Sequence, residues 1–260
     1  MSGNDVLKYS VENRVALITI DRPPHNILPL AYYRELCKTA INLVKKKEAR
    51  AIVITGSNKV FISGLDVNDI NALKTAQDNN RMTLEIKALF RQVEKLPRPV
   101  IAAIDGNCFG GGLELALSCH MRLASPEARL GLLEINLGTM PSLGGTQRLP
   151  RLVGRAKGLE LMLTGRQVSG EEALGIGLVN AVYPSSDLVE QAKTLAYQIA
   201  EKNCQAVEAV MRATTEGLEM GFDQGCVFES TCSSELTGTH NMKEGMAAFF
   251  ERRKPVYRDE

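Results

Sequence analysis

Residues 109–120 read FGGGLELALSCH. Three consecutive glycines open an apolar segment of helical character, and Glu114 follows two residues after the last of them. Glycine is poor helix material, and a carboxylate among Leu113, Leu115, Ala116 and Leu117 loses its hydration. At a strand-to-helix turn, however, glycines let the backbone come close to a ligand. The N–H groups of the first helical turn then point outward without partners. Such a corner suits a phosphate or a developing oxyanion. The stretch matches neither GxxxxGKS/T nor GxGxxG, so the glycines by themselves read more plainly as close helix–strand packing.

Glu114 shifts that balance. The helix dipole favours a first-turn carboxylate, which is a sufficient structural reason for it. Its apolar neighbours nevertheless imply little water, and desolvation raises a carboxyl pKa towards the range of acid–base work. A second isolated carboxylate, Glu134, stands in RLGLLEINLG, and GTMPSLGGTQRLPRLVG follows as another glycine turn leading into a helix. Two such carboxylates after two glycine-rich segments point to paired acid–base chemistry. Surface ion pairs are the plainer alternative, but neither glutamate has a basic residue beside it in sequence.

Working outward, LKYSVENRVALITIDRP predicts a hairpin broken at Glu12–Arg14, with VALITI as the inner strand. AYYRELCKTAINLVKKKEAR predicts a helix carrying Tyr33, Leu36, Cys37, Ala40 and Val44 on one face and the lysines at 45–47 in its last turn. AIVIT at 51–55 and VIAAI at 100–104 read as buried strands, and TLEIKALFRQVEKL between them as an amphipathic helix stopped by Pro97 and Pro99. Strand–turn–helix repetition of this kind indicates an α/β architecture with sites at strand ends. Ser169 to Glu172 has the form of a capping box. After about residue 185 only helical patterns follow, at 186–202, 205–220, 222–236 and 240–253, which suggests an interface or a lid.

The 260 residues allow one large domain or a domain with an appendage. A net charge of +1 offers no long-range attraction to nucleic acid or an anionic membrane. No apolar run approaches the roughly 20 residues that span a bilayer. Six cysteines show no CxxC pair and no zinc spacing, and Cys108 and Cys119 lie in apolar surroundings as small hydrophobes. With MSGNDVLKYS carrying neither a signal core nor transit character, the expectation is a cytoplasmic protein.

DGNCFGGGLELALSC, LGLLEINLGTMPSLGGTQRLPRLVG and LTGRQVSGEEALGIGLVNAV, in that order, resemble the enoyl-CoA hydratase (crotonase) family. FISGLDVNDI at 61–70 resembles that family's first oxyanion loop, and EGMAAFFERRKPVY its C-terminal segment. The likeness is collinear over nearly the whole chain. It implies an α/β spiral of ββα units over residues 1–185, and a helical region over 186–260 that forms a homotrimer or a hexamer of paired trimers. The implied substrate is an acyl-CoA thioester, with no metal, nicotinamide or flavin and no nucleic-acid or membrane partner.

The resemblance also implies roles. Backbone N–H groups of Leu65 and Gly111 would hold the thioester oxyanion, each such donor contributing roughly 3–4 kcal/mol. Glu114 would orient and deprotonate a water, and Glu134 would deliver a proton to C2. Substrate contacts would come from Ser63, Gly64, Asp66 and Ile70 in the first loop, and from Gly110 and Leu143. Phe249 would serve the adenine or acyl pocket, and Arg252 the CoA phosphates, often across a subunit boundary. Leu65, Ser142 and Leu143 depart from the family's usual small residues and reshape the pocket. His120 replaces an aspartate and reads as a capping cation at a helix end. His240–Asn241 replace an acidic pair; His25 and Lys254 carry no assigned chemistry. The expected reaction is reversible hydration of a short trans-2-enoyl-CoA. A cyclic or dienoyl substrate, an isomerase of the same fold, and a non-catalytic acyl-CoA or RNA-binding module are the alternatives.

Overall fold

The structure, a computed structural model, describes residues 6–258. Met1–Asp5, part of the segment expected to lack a leader, lie outside the described residues. The chain winds in repeated turns. The first comprises β1 (Leu7–Glu12), β2 (Val15–Ile20), β3 (Ile27–Leu28) and α1 (Leu30–Lys45). The second has β4 (Ala51–Gly56), β5 (Val60–Ile62), β6 (Gly64–Leu65), α2 (Val67–Asn71) and α3 (Ala76–Glu94). The third is β7 (Val100–Ile104), β8 (Asn107–Phe109) and α4 (Gly111–Ser118). The fourth runs through β9 (Met121–Ala124), β10 (Arg129–Gly131), a 3-10 turn (Glu134–Leu137), α5 (Gly145–Val153) and α6 (Arg155–Thr164). Then come β11 (Val168–Ser169), α7 (Gly170–Gly175), β12 (Ala181–Val182), α8 (Leu188–Ala200), α9 (Cys204–Gly217), α10 (Phe222–Ser234) and α11 (His240–Glu251).

The second to fourth turns each place their first strand in the larger sheet and their second strand in the smaller, while the first turn gives both β1 and β2 to the larger. The larger sheet has the order β1-β2-β4-β7-β9-β12, parallel except for the β1–β2 hairpin, and the smaller has β11-β10-β8-β5. The advance by one strand per turn is the expected spiral of ββα units. Asn13 and Arg14 close the hairpin with φ of 47° and 65°, the pairing of positive angles that matches strand twist in a two-residue turn.

The continuous apolar runs of β4 and β7 follow from burial on both faces. Ile52, Ile54, Val100, Ala102 and Ile104 enter the main core, while Ala51, Val53, Ile101 and Ala103 pack against α8. Helix α8 meets them with Leu188, Ala192, Ala196 and Ala200, a stripe spaced by four whose small side chains allow close approach. The helical run after residue 185 therefore begins where expected, but its first helix covers the sheet rather than standing apart. The chain leaves the sheet only at α9, and α9–α11 keep large apolar side chains such as Leu218, Phe222 and Phe249 exposed. Among the described residues, no helix is long and apolar enough to cross a membrane.

Three local expectations change. Helix α3 begins at Ala76, well before residue 83, because the Thr75 hydroxyl accepts the Asp78 N–H (3.1 Å) and starts a turn too polar to show apolar spacing. Helix α1 ends at Lys45, with Lys46 as its cap and Lys47 at φ 56°, so only the first of the three lysines belongs to the last turn. His120 is not a capping cation. Its Nδ1 accepts the Val100 N–H (3.0 Å) and its Nε2 lies 3.1 Å from the Glu94 carbonyl, which assigns the proton to Nε2. Burial pushes its pKa down to about 4, so the ring is neutral and ties the end of α3 to the start of β7. The Ser169 hydroxyl does cap α7, accepting from the Glu172 N–H at 3.2 Å.

The glycine triplet divides its work. Gly110 holds φ 52° between β8 and α4, a left-handed angle that strains other residues. A Cβ on Gly112 would stand 2.5 Å from the Ile62 carbonyl oxygen, so α4 packs on β5 only without a side chain there. Gly112→Ala is expected to lower the midpoint of thermal unfolding, with a loss on the order of 1–3 kcal/mol from overpacking, as calorimetry will register. For His120, the folded pKa lies below the ordinary 6.5 of the unfolded chain, so its contribution is full above pH 6.5 and lost as pH falls towards 4. That is about 3 kcal/mol in all. Because Glu114, with its raised pKa, contributes with the opposite sign, the test is the difference between wild type and His120→Gln in urea titrations between pH 4 and 7, which should shrink as pH falls.

Candidate active site

A cavity of about 670 Å³ opens where the ends of the small sheet meet α2, α4 and the 3-10 turn. Glu114, Glu134, Leu65 and Gly111 all line it, and so do Ser63, Gly64, Asp66, Ile70, Gly110 and Leu143. Ten expected positions, scattered between residues 63 and 143, thus converge on one space. Phe249 and Arg252 do not line it: they sit at the end of α11, with Phe249 exposed and Arg252 capping the helix at φ 55°.

The first loop is held from beneath. Buried Asn26 donates through Nδ2 to the Val60 carbonyl (2.7 Å) and accepts the Arg22 N–H at Oδ1 (2.7 Å), which joins the approach to β3 with β5. The Asp69 carboxylate accepts the Leu30 N–H (2.6 Å), anchoring α2 to the start of α1. Strands β3 and β6 pair in parallel, Leu28 opposite Leu65, and the Asp66 N–H donates to the Leu28 carbonyl at 3.0 Å. Successive amides of a strand alternate between its edges, so Leu65 turns its N–H away from β3. Gly111 is the first residue of α4, and its N–H belongs to the turn that has no acceptor within the helix.

Glu114 is 1% exposed. Its Oε1 accepts two backbone N–H groups, from Leu143 at 2.7 Å and Gly145 at 2.8 Å. Both bonds use one oxygen, which leaves Oε2 for chemistry in the cavity. Burial first, and then the charge of Glu134, push the Glu114 pKa up to about 7; the two N–H groups and Arg148 act in the opposite direction. The second glycine turn has its own reason, since a Cβ on Gly145 would stand 3.0 Å from that Oε1. Glu134 opens the 3-10 turn, and its Oε2 is buried without a partner among the described residues. Burial raises its pKa as well. A Cβ at Gly110 would lie 3.1 Å from Glu134 Oε1, so the first glycine of the triplet also makes room for the second carboxylate.

Several residues escaped the sequence reading. Arg22, Asn68, Asn79 and Asn136 bring polar groups to the cavity from four separate segments, and no periodic or motif signal marks them. Tyr33 was placed on the core face of α1 by its spacing, and it is fully buried against Phe90. Its hydroxyl has no partner among the described residues and lies 3.0 Å from where a Gly111 Cβ would be. Arg148 lies in GTMPSLGGTQRLPRLVG, which predicts only a glycine turn leading into a helix.

Two buried carboxylates of raised pKa hold one proton readily at neutral pH and can exchange it with a molecule between them. Two outward backbone N–H groups beside them can hold an oxyanion. Among the described residues, Arg22 is the one cation on the lining of this cavity.

Known proteins share this arrangement of chain. The Enoyl-CoA hydratase/isomerase family model matches residues 10–260. A probable enoyl-CoA hydratase of Bacillus subtilis is 37% identical over 257 residues, covering 98% of this chain and 100% of that protein. A short-chain-enoyl-CoA hydratase of Clostridium acetobutylicum is 38% identical, covering 98% and 97%. Among solved structures, an enoyl-CoA hydratase from Bacillus anthracis superposes with a TM-score of 0.93 at 34% identity, covering 98% of this chain and 100% of that one. Sequence, fold and cavity agree: the chain belongs to the enoyl-CoA hydratase/isomerase family.

Proposed function

We propose that the protein catalyses reversible syn hydration of a trans-2-enoyl-CoA thioester to the 3-hydroxyacyl-CoA, with short, crotonyl-like acyl groups preferred. One observation carries the reading: Glu114 and Glu134, both desolvated, face a single cavity beside the Leu65 and Gly111 amides. In the forward direction Glu114 accepts a proton from water as the water oxygen bonds to C3. The electron pair of the C2=C3 bond moves towards the thioester, whose oxygen the two N–H groups stabilise. Glu134 then gives its proton to C2, and the reverse order dehydrates the product. Net proton count is conserved, so the pair needs no cofactor besides the coenzyme A of the substrate.

Likeness to the Clostridium short-chain enzyme and the Leu143 side chain at the cavity wall support a small acyl group. The exposed apolar side chains of α9–α11 support assembly into a trimer or a pair of trimers. Phe249 and Arg252 would then meet the CoA moiety on a neighbouring subunit. Five of the six cysteines are buried as thiols, in keeping with a reducing cytoplasmic setting.

Loss of the conjugated-thioester absorbance of crotonyl-CoA tests the reaction. Glu114→Gln and Glu134→Gln should each lower kcat by roughly 100- to 10,000-fold, the range of a lost acid–base group. Activity surviving both substitutions would exclude the mechanism, and double-bond migration surviving Glu134→Gln would point to an isomerase. The pH profile offers a second check. A protonated Glu114 cannot accept the water proton, so kcat/KM should fall as pH drops below about 7.

A further inference from the structure

The two amides that hold Glu114 belong to peptides 142–143 and 144–145, and one peptide, 143–144, lies between them. Its carbonyl, that of Leu143, accepts from Arg148 Nη1 at 3.2 Å. The rest of the guanidinium grips Glu94 with both prongs, Nε to Oε1 at 2.9 Å and Nη2 to Oε2 at 3.2 Å. Glu94 also accepts from Arg91 Nη1 (2.9 Å), and Arg91 reaches Glu219 just past α9. Gly144 stands at φ 116°, and Arg148 Nη1 lies only 1.9 Å from where its Cβ would be. The guanidinium therefore occupies the space above the turn that no other residue at 144 would leave open. Arg148 is absent from the lining of the substrate cavity and lines a separate one, with Arg91, Glu94 and Arg151, on the other side of the turn.

We propose that Arg148, held by Glu94, is a positioning residue for Glu114: through the Leu143 carbonyl it fixes the turn whose two amides aim the carboxylate. The inference rests on the reading of Glu114 as the group that handles the attacking water. An ion pair that merely joined α3 to α5 would need neither the Leu143 carbonyl nor the vacancy at Gly144. The link also has an electrostatic side. The groups facing Glu114 are Glu134 from the 3-10 turn, the Tyr33 hydroxyl from α1 and Arg148 from α5, with Cys108 of β8 behind Tyr33. Strands β5 and β6 present it no titratable side chain. Arg148 is the cation of this set, and it opposes the upward push of burial and of Glu134.

Arg148→Met, Arg148→Lys and Glu94→Gln test the proposal by two readouts. The first is kcat and KM for crotonyl-CoA across pH. The second needs no turnover: carbon NMR titration of carboxyl-labelled glutamate, with the Glu114 signal assigned by its loss in Glu114→Gln. Arg148→Met should lower kcat roughly 10- to 100-fold, the effect of a misaimed catalytic group, with KM little changed. The acid limb and the Glu114 titration should both move to higher pH, because a stabilising cation is gone. Arg148→Lys should restore the titration but only part of kcat, since an ammonium lacks the fork. Glu94→Gln should lower kcat while moving the titration less. A folded Arg148→Met protein with wild-type kcat and titration overturns the proposal, and so does a kcat loss that leaves the titration in place. Should Arg148→Met fail to fold, the other two variants decide on kcat: a wild-type value in both Arg148→Lys and Glu94→Gln overturns the proposal. Should the wild type not hydrate crotonyl-CoA, the functional reading fails, and the NMR titration still decides whether Arg148 sets Glu114.

Discussion

The structure depends on one buried interaction, the two short backbone hydrogen bonds to Glu114 Oε1. A carboxylate that is almost wholly shielded from water is unfavourable unless donors replace the lost hydration. Here the donors come from a turn some thirty residues away in sequence, so the side chain cannot be satisfied until two turns of the spiral have packed together. Satisfaction is also partial. One oxygen is fixed and the other left to the cavity, which keeps the group aimed. Burial and Glu134 raise its proton affinity, while the amides and Arg148 restrain that rise, so the pKa settles at about 7.

The glycines are the geometric counterpart of this arrangement. Each member of the triplet answers a different demand: a left-handed angle and room for Glu134 at Gly110, room beside Tyr33 at Gly111, contact with β5 at Gly112. Gly144 and Gly145 answer two more, accommodating the Arg148 guanidinium and the Glu114 carboxylate. Helix propensity is sacrificed at the opening of α4 because Glu134, Tyr33 and Ile62 crowd the three places that a Cβ would take. Strands β5, β6 and β8, which pack against α4, give that corner its floor.

Helix α8 closes the far face of the sheet, which leaves α9–α11 as the part of the chain whose apolar surface is not spent internally. The chain of charges from Glu219 through Arg91, Glu94 and Arg148 runs from the end of α9 to the turn that holds Glu114. The helical tail and the turn that holds Glu114 are thereby parts of one connected polar network.

Much of this was legible in the sequence. Local rules sufficed where the cause was local: the hairpin from its alternation, β4 and β7 from their apolar runs, the Ser169 cap from its spacing, Glu114 from a carboxylate set among leucines after glycines. The collinear motifs extended the reading to Leu65, Gly111 and Glu134, which the fold then gathered around one cavity. What only the tertiary structure decided was everything that depends on distance across the chain. His120 reads as a capping cation because its sequence neighbours do not show that Val100 and Glu94 enclose it. The start of α3 escaped because a polar first turn carries no apolar period. α8 reads with the interface or lid helices because one leucine and three alanines do not announce which surface they cover. Arg148 had no signal, and the spacing that puts Tyr33 on the core face of α1 says nothing of its hydroxyl, since their meaning lies in neighbours at Glu94, Leu143 and Gly111. Periodicity reports which face of an element is dry. It does not report what stands on the other side, and in this protein that is where the chemistry is set.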